Sequence, residues 1–91
     1  MLGIDLMRDP AIQAFRAEVQ QFCEQNLPRD IRDKVLAGQH LEKADYVRWQ
    51  KILFDKGWIV GHWPRQYGGQ DWTPLQRAIF DDETSKAGAP W

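Results

Sequence analysis

The stretch from Gly61 to Pro74 constrains this chain most, because regular structure cannot run through it. It contains two of the five prolines and three of the seven glycines. Pro64 and Pro74 lack a backbone donor and push the residues before them toward extended conformations. The pair Gly68-Gly69 supplies backbone freedom at positive φ. The stretch is therefore predicted to be a loop that separates the preceding helices from a helix beginning at Pro74.

Three large rings make this loop unusual: Trp63, Tyr67 and Trp72. Connecting loops are surface segments, so large rings in one need something to lie against. One interpretation is internal packing, with Trp63 and Tyr67 closing the open end of a small bundle. The other is contact with a domain or subunit outside this chain. Both interpretations stay open, and each can hold for different rings.

Two helices are predicted in the first half of the chain. The first begins at Asp9-Pro10, where Asp can cap and Pro suits the first helical position. Its apolar stripe recurs every three or four residues and consists of Ile12, Phe15, Val19 and Phe22. Its opposite side is polar and includes Arg16, and Pro28 ends it. A second, short helix is predicted from Pro28 to Ala37, with inward side chains at Ile31, Val35 and Leu36.

A third helix is predicted from Ala44 to Lys56, with Gly57 as its C-terminal cap. Its inward face consists of Tyr46, Trp49, Ile52 and Leu53. Val47 and Phe54 extend its apolar surface sideways, so this helix is expected to contact neighbours on more than one side. The segment Trp58-Ile59-Val60 is predicted to be extended and to cover one end of the core.

The fourth helix has the clearest start, Thr73-Pro74-Leu75-Gln76, which fits a capping box with proline at the first position. It is predicted to run to about Ala87, with Gly88 as terminator. Its inward stripe consists of Leu75, Ala78 and Ile79. Together these segments predict an all-α fold, a small bundle of about four helices forming one domain over residues 1–91.

Charge and cysteine content exclude several classes of protein. A net charge of −1 and a pI near 6.1 argue against a nucleic acid or an anionic membrane as partner. No apolar run reaches the roughly 18 residues that a membrane span needs. Cys23 is the single cysteine, so no internal disulfide is possible. This favours a reducing compartment such as the cytoplasm.

No self-sufficient active site is evident, so no catalytic, cofactor-binding or metal-binding residue is predicted. Candidate metal ligands are far apart and lack paired spacing: Cys23, His40 and His62. The thiol of Cys23, on the inner edge of the first helix, is expected to be buried and inert. The acidic residues Asp81, Asp82 and Glu83 are consecutive, so they point in different directions on a helix. Gly68-Gly69 lacks the spacing of a nucleotide-binding loop.

In its order of motifs the chain resembles the N-terminal helical domain of the acyl-CoA dehydrogenases. The motifs that carry the resemblance are Phe15-Arg16-Ala17-Glu18-Val19, Leu27-Pro28, Gly57-Trp58, Trp63-Pro64, Tyr67-Gly68-Gly69, Phe80-Asp81-Asp82-Glu83 and Ala87-Gly88-Ala89-Pro90. They span nearly the whole chain, and the loop motif is the most specific. Two departures are Gln66, where the family commonly has Glu, and Thr84, where it commonly has Leu.

The resemblance implies a longer parent that dehydrogenates an acyl-CoA thioester. Such a parent adds a β domain and a C-terminal helical domain, binds FAD between them, and uses a glutamate from its C-terminal part as base. The implied partners are these remaining domains or subunits of a homo- or hetero-oligomer, with acyl-CoA as the parent's ligand. This chain alone is expected to bind no FAD. A tryptophan as the last residue, after a turn, suggests a C-terminal truncation.

The resemblance also implies positions for the loop residues. They are expected at a domain interface or at the rim of the acyl pocket, and they are Trp63, Pro64, Tyr67, Gly68, Gly69 and Trp91. Two alternatives to a dehydrogenase fragment stay open. One is a standalone, non-catalytic helical interaction module or partner subunit. The other is a small ligand binder that uses its aromatic surface.

Overall fold

A computed structural model describes residues 8–90 of the chain. The helices are α1 (Pro10–Asn26), α2 (Arg29–Leu36), α3 (Lys43–Lys56) and α4 (Pro74–Ala87), and a 3₁₀ turn spans Arg65–Tyr67. No strand occurs within these residues. The prediction of an all-α fold with four helices is confirmed, and each predicted boundary lies within about one residue of the observed one.

The helix ends follow local sequence chemistry. The Asp9 side chain accepts a hydrogen bond from the Ala11 N–H at 2.8 Å, and Pro10 occupies the first position of α1. At α4, Thr73 Oγ1 accepts from the Gln76 N–H at 3.2 Å, and Gln76 Oε1 accepts from the Thr73 N–H at 2.9 Å. This reciprocal pair satisfies two donors that the helix itself leaves free, as a capping box does.

The core is assembled around α1 and α4, which pack against each other. Its buried members are Val19, Cys23, Trp49, Leu53, Trp58 and Ala89. Partly buried apolar side chains surround them: Phe15, Phe22, Leu27, Ile52, Trp72, Phe80 and Ala87. Helix α3 contributes to this core through Trp49 and Leu53, and Trp58 lies just beyond its C-terminal cap, Gly57. The predicted stripe of α1 is therefore confirmed as the inner face for Phe15, Val19 and Phe22, whereas Ile12 is half-buried and lies outside this core.

Two ion pairs link α2 to α3. The carboxylate of Asp30 accepts two hydrogen bonds from the Arg48 guanidinium, at 2.7 and 3.0 Å. Lys34 Nζ lies 3.0 Å from Asp45 Oδ2, and the same oxygen accepts from the Glu42 N–H. Asp45 therefore has two roles: it caps the start of α3 and it binds Lys34 of α2.

Several side chains lie differently from their predicted places. Leu36 and Tyr46 were predicted to face inward, but both are exposed, and Ala78 is exposed on α4. Ile31 is fully enclosed, whereas Leu36 lies five residues later and so projects from a different side of α2. The segment 58–60 was predicted to be extended, but it enters a turn at Ile59 because Trp58 folds back beside α3.

Candidate functional site

The loop between α3 and α4 is held in one shape by its own backbone. The Gly61 carbonyl accepts hydrogen bonds from the N–H groups of Gln70 and Trp72, each at 3.0 Å. The Trp63 carbonyl accepts from the Asp71 N–H at 3.0 Å, and the Pro64 carbonyl accepts from the Gly69 N–H at 3.1 Å. These bonds satisfy backbone groups that would otherwise need water. The loop is therefore an ordered scaffold for the rings it carries.

The two neighbouring glycines of the loop have different roles. Gly68 has φ of 87°, in the left-handed region, and a Cβ there would meet nothing within 4 Å. Gly69 lies outside that region, so the prediction that both glycines supply positive φ is wrong for Gly69. Gly69 is needed because a Cβ there would collide with the backbone carbonyl of Trp63.

The three rings of the loop lie in different surroundings, so internal packing explains one of them and not the other two. The Trp72 ring packs inside, with centroid distances of 5.4 Å to Phe15, 5.6 Å to Trp58 and 5.0 Å to Phe80. Trp63 is 47% exposed and Tyr67 is 65% exposed. Internal packing therefore accounts for Trp72 and leaves Trp63 and Tyr67 on the surface.

The predicted site residues lie together wherever the structure describes them. Trp63, Pro64, Tyr67 and Gly68 are exposed, whereas Gly69 is buried against Trp63. The sixth predicted residue, Trp91, lies outside the described residues. The local hydrogen bonds of the loop bring the five together, but their role at a domain interface or acyl pocket stays a prediction.

A charged cluster between α1 and α4 was not predicted from the sequence. Arg16 Nη1 donates to Glu83 Oε1 in a close contact and lies 3.1 Å from Asp82 Oδ2. Lys86 Nζ lies 2.9 Å from Asp82 Oδ2. Arg16 was placed on the polar outer side of α1, yet its side chain is only 19% exposed.

The hydrogen bonds within this cluster shift the pKa values of Arg16 and Asp82. The hydrogen bonds from Arg16 to Glu83 and then to Asp82 raise the pKa of Arg16 above its usual value. The hydrogen bonds from Lys86 and then Arg16 lower the pKa of the Asp82 carboxyl. The spacing of Asp82 and Lys86, four residues apart on a helix, could have predicted that pair. No sequence spacing could have predicted that Arg16 reaches across to α4.

Cys23 lies at the floor of a cleft of about 400 Å³ that Glu83 and Lys86 also line. Burial, and then the nearby negative charge of Glu83, raises the pKa of the thiol to about 11. The thiol is thus protonated at neutral pH and has no activated nucleophile character. The prediction of a buried Cys23 is confirmed.

Neither a metal-ligating group nor a membrane-spanning helix is found among the described residues. Over residues 8–90, no three side chains among His, Cys, Asp and Glu are grouped so that they could hold a metal ion. In the same part of the chain, every helix is too short or too polar to cross a membrane.

Comparison with known proteins finds a family and curated relatives to which this chain is similar. Residues 9–91 match the family described as "Acyl-CoA dehydrogenase, N-terminal domain". Acyl-CoA dehydrogenase IpdE1 of Mycolicibacterium smegmatis is 32% identical over 83 residues, which cover 87% of this chain and 21% of the relative. Acyl-CoA dehydrogenase FadE26 of Mycobacterium tuberculosis is 47% identical over 34 residues, 37% of this chain and 8% of the relative. No solved structure matches the chain.

The chain spans about a fifth or less of the length of these curated relatives. The match to the family nevertheless runs from the cap of α1 to the last residue and includes all four helices and the ring-bearing loop. The chain therefore belongs to the acyl-CoA dehydrogenase family, and it corresponds to the N-terminal helical domain of that family.

Proposed function

We propose that this chain is the N-terminal helical portion of a flavin-dependent acyl-CoA dehydrogenase, and that its loop surface faces the rest of the enzyme. The parent would remove hydrogens from the α and β carbons of an acyl-CoA thioester, with FAD as hydride acceptor. The catalytic base and the FAD site would lie outside residues 1–91. The lone, unpaired thiol of Cys23 supports a cytoplasmic location for the parent.

The match of residues 9–91 to the family supports the first part of this proposal. The second part rests on the exposure of two large rings on an ordered loop. Trp63 and Tyr67 keep about half or more of their surface in contact with water, although the loop backbone is internally bonded. Large exposed rings held in a fixed place are typical of surfaces that another protein covers. Pro64 and Gly68 are exposed beside them and complete the surface.

Within the parent, this surface would border the acyl site and join the helical domain to a neighbouring domain or subunit. Trp63, Pro64, Tyr67, Gly68 and Gly69 would form it, with Trp91 at its edge. A homo- or hetero-oligomer would supply the neighbour if the contact crosses subunits. The rings would contribute apolar walls to the contact.

The first test compares the chain with its parent. The coding DNA downstream of Trp91 is read, and the complete polypeptide is expressed beside residues 1–91. We expect flavin absorbance and acyl-CoA turnover with an electron acceptor from the complete polypeptide, and neither from residues 1–91. Turnover by residues 1–91 alone would overturn the proposal. A stop codon directly after Trp91 would favour the standalone interaction module instead.

The second test isolates the loop surface. Trp63→Ser with Tyr67→Ser should lower flavin retention and thermal stability of the complete polypeptide. The same changes should leave the melting temperature of residues 1–91 nearly unchanged, because the rings are already exposed there. Ile59→Ser, which changes an exposed apolar residue outside the surface, is the matched control. Equal effects of both variants on the complete polypeptide would contradict an interface at the loop.

A further inference from the structure

The chain folds back against the bundle where α4 ends. Gly88 has φ of 89°, and its N–H donates to the Ser85 carbonyl at 3.2 Å. The Ala89 N–H donates to the Thr84 carbonyl at 2.9 Å, and Ala89 is buried in the core. These two bonds form a Schellman motif, which ends a helix and turns the chain. The residues after α4 therefore lie beside the helix they have just left.

A cleft lies next to this turn, between α3 and α4, and has a volume of about 370 Å³. The rings of Trp49, Phe80 and Pro90 give it apolar walls. Thr84 Oγ1 donates to the Phe80 carbonyl at 2.7 Å, so its hydroxyl faces the helix backbone and its methyl group remains for apolar contact. The full lining consists of Trp49, Phe80, Asp81, Thr84, Ser85, Ala89 and Pro90. The interior of the cleft therefore favours an apolar occupant.

The rim of the cleft is polar. Asp81 and Ser85 are exposed there, and within residues 8–90 neither side chain has a hydrogen bond or an ion pair. A carboxylate and a hydroxyl can both accept a hydrogen bond. The cleft therefore suits a side chain with an apolar body and one donor at its edge, which is the character of tryptophan.

The sequence places a tryptophan at the mouth of this cleft. Trp91, which lies outside the described residues, follows Pro90 directly. Consecutive Cα atoms are about 3.8 Å apart and Pro90 itself lines the cleft, so a long side chain at position 91 starts within reach of it. A cavity of about 150 Å³ already holds a benzene molecule, so the cleft has room for an indole ring. Connectivity therefore indicates an occupant from this chain rather than a separate partner.

We propose that the ring of Trp91 fills the cleft between α3 and α4 of its own chain, on Phe80 and Thr84, with its N–H at the polar rim. The ring then holds the turn after α4 against α3. This goes beyond the proposed function, which gives Trp91 only a place at the edge of the loop surface. The two agree, because the Phe80 ring centroid lies 5.0 Å from that of Trp72 in the same loop. Each can fail without the other, because the loop surface is tested with other rings.

The first test looks for the contact directly. Residues 1–91 are labelled with carbon and nitrogen isotopes, and the Trp91 resonances are identified as those lost in Trp91→Ala. We expect nuclear Overhauser effects from the Trp91 ring to the Phe80 ring and to the Thr84 methyl group. In a mixture of labelled and unlabelled chains, an isotope-filtered experiment should show no such effects between the two kinds of chain.

The second test measures what the contact contributes. Trp91→Ala should lower the melting temperature of residues 1–91 by about 4–8 °C, which corresponds to about 1 kcal/mol in a domain of this size. Trp63→Ala is the matched control, because it removes the same ring from a position that is 47% exposed. It should lower the melting temperature by no more than about half as much. Neither variant removes a ring from the core cluster, so both are expected to keep the fold.

Three outcomes would overturn the proposal. One is a Trp91 ring that shows no contact with Phe80 or Thr84. Another is an equal loss of melting temperature in the two variants. The third is contact between labelled and unlabelled chains, which would assign the cleft to the Trp91 ring of a second copy.

Discussion

Glu83 is paired with a residue that is close in space but 67 positions away in the sequence. It lies within α4 and is 5% exposed, and a buried carboxylate is costly unless its charge is paired. Arg16 of α1 supplies the pairing through a direct hydrogen bond, and Lys86 lies 3.9 Å away. The contact therefore fixes how the two helices are rotated against each other, in addition to the apolar packing between them.

Replacing this carboxylate by an amide tests the contribution of the charge. Glu83→Gln keeps the size of the side chain but leaves the Arg16 guanidinium with Asp82 as its remaining anionic partner. We expect the free energy of unfolding to fall by about 1.5–3 kcal/mol, the range for hydrogen bonds to charged groups. Urea denaturation followed by circular dichroism measures the change.

Asp81→Asn is the matched control for this variant, because Asp81 is the exposed neighbour on the same helix. It should change stability by no more than about 0.5 kcal/mol. If both variants cost the same amount, the pairing of Arg16 with Glu83 is not what stabilises this part of the fold.

Because of Cys23, we expect the stability of the fold to depend on pH in the alkaline range. The pKa of its thiol is about 11 in the folded chain, against 9.0 for an unperturbed group. Because the folded pKa is the higher one, the stability that the protonated thiol contributes is complete below pH 9. It is lost as the pH rises toward about 11.

The difference in stability between the natural chain and Cys23→Ala should therefore shrink between these two pH values. Urea denaturation at a series of pH values measures it, and the comparison cancels the titration of all other groups. A constant difference across this range would contradict a raised pKa. The thiol should also react with iodoacetamide far more slowly in the folded chain than in urea, because it is buried and protonated.

At the scale of single elements, the loop depends on two glycines for two different reasons. Gly68→Ala places a Cβ in open space but forces a left-handed conformation, which costs about 1–2 kcal/mol. Gly69→Ala instead drives a Cβ into the Trp63 carbonyl, so the backbone must move, at a cost of about 1–3 kcal/mol. The two variants should thus differ in structure more than in stability.

Amide resonances distinguish these two effects. The Asp71 N–H donates to the Trp63 carbonyl at 3.0 Å, so it reports directly on the position of that carbonyl. It should shift strongly in Gly69→Ala and little in Gly68→Ala. A larger shift of Asp71 in the Gly68 variant would mean that the close approach at Gly69 does not hold the loop.

The elements themselves were largely predictable, because their ends depend on neighbours in the sequence. The Asp9 cap, the Thr73–Gln76 capping box and the cap at Gly57 each involve residues within one turn. Contacts between elements were not predictable in this way. Nothing in the spacing of residues shows that Arg16 meets Glu83, or that Tyr46 lies outside the core while Trp72 enters it. These depend on how the helices are rotated in the assembled bundle.

At the scale of the whole molecule, Trp58 lies at the centre of a cluster of aromatic rings that joins the elements together. Its ring centroid is 4.8 Å from that of Phe22, 5.6 Å from that of Trp72 and 6.0 Å from that of Phe80. These partners come from α1, from the loop and from α4. Trp58 therefore connects elements that are far apart in the sequence, and its loss should affect all of them together.

Trp58→Ala should lower the free energy of unfolding by about 3–5 kcal/mol, the usual cost of removing a large buried ring. That is a large part of the roughly 5–15 kcal/mol that holds a domain together. Trp63→Ala, in the exposed part of the loop, should cost no more than about 0.5 kcal/mol. Thermal melts by far- and near-ultraviolet circular dichroism should shift together in the Trp58 variant, because helices and ring packing are lost in one transition. Helical signal that persists after the ring signal has melted would mean that the helices do not depend on this common core.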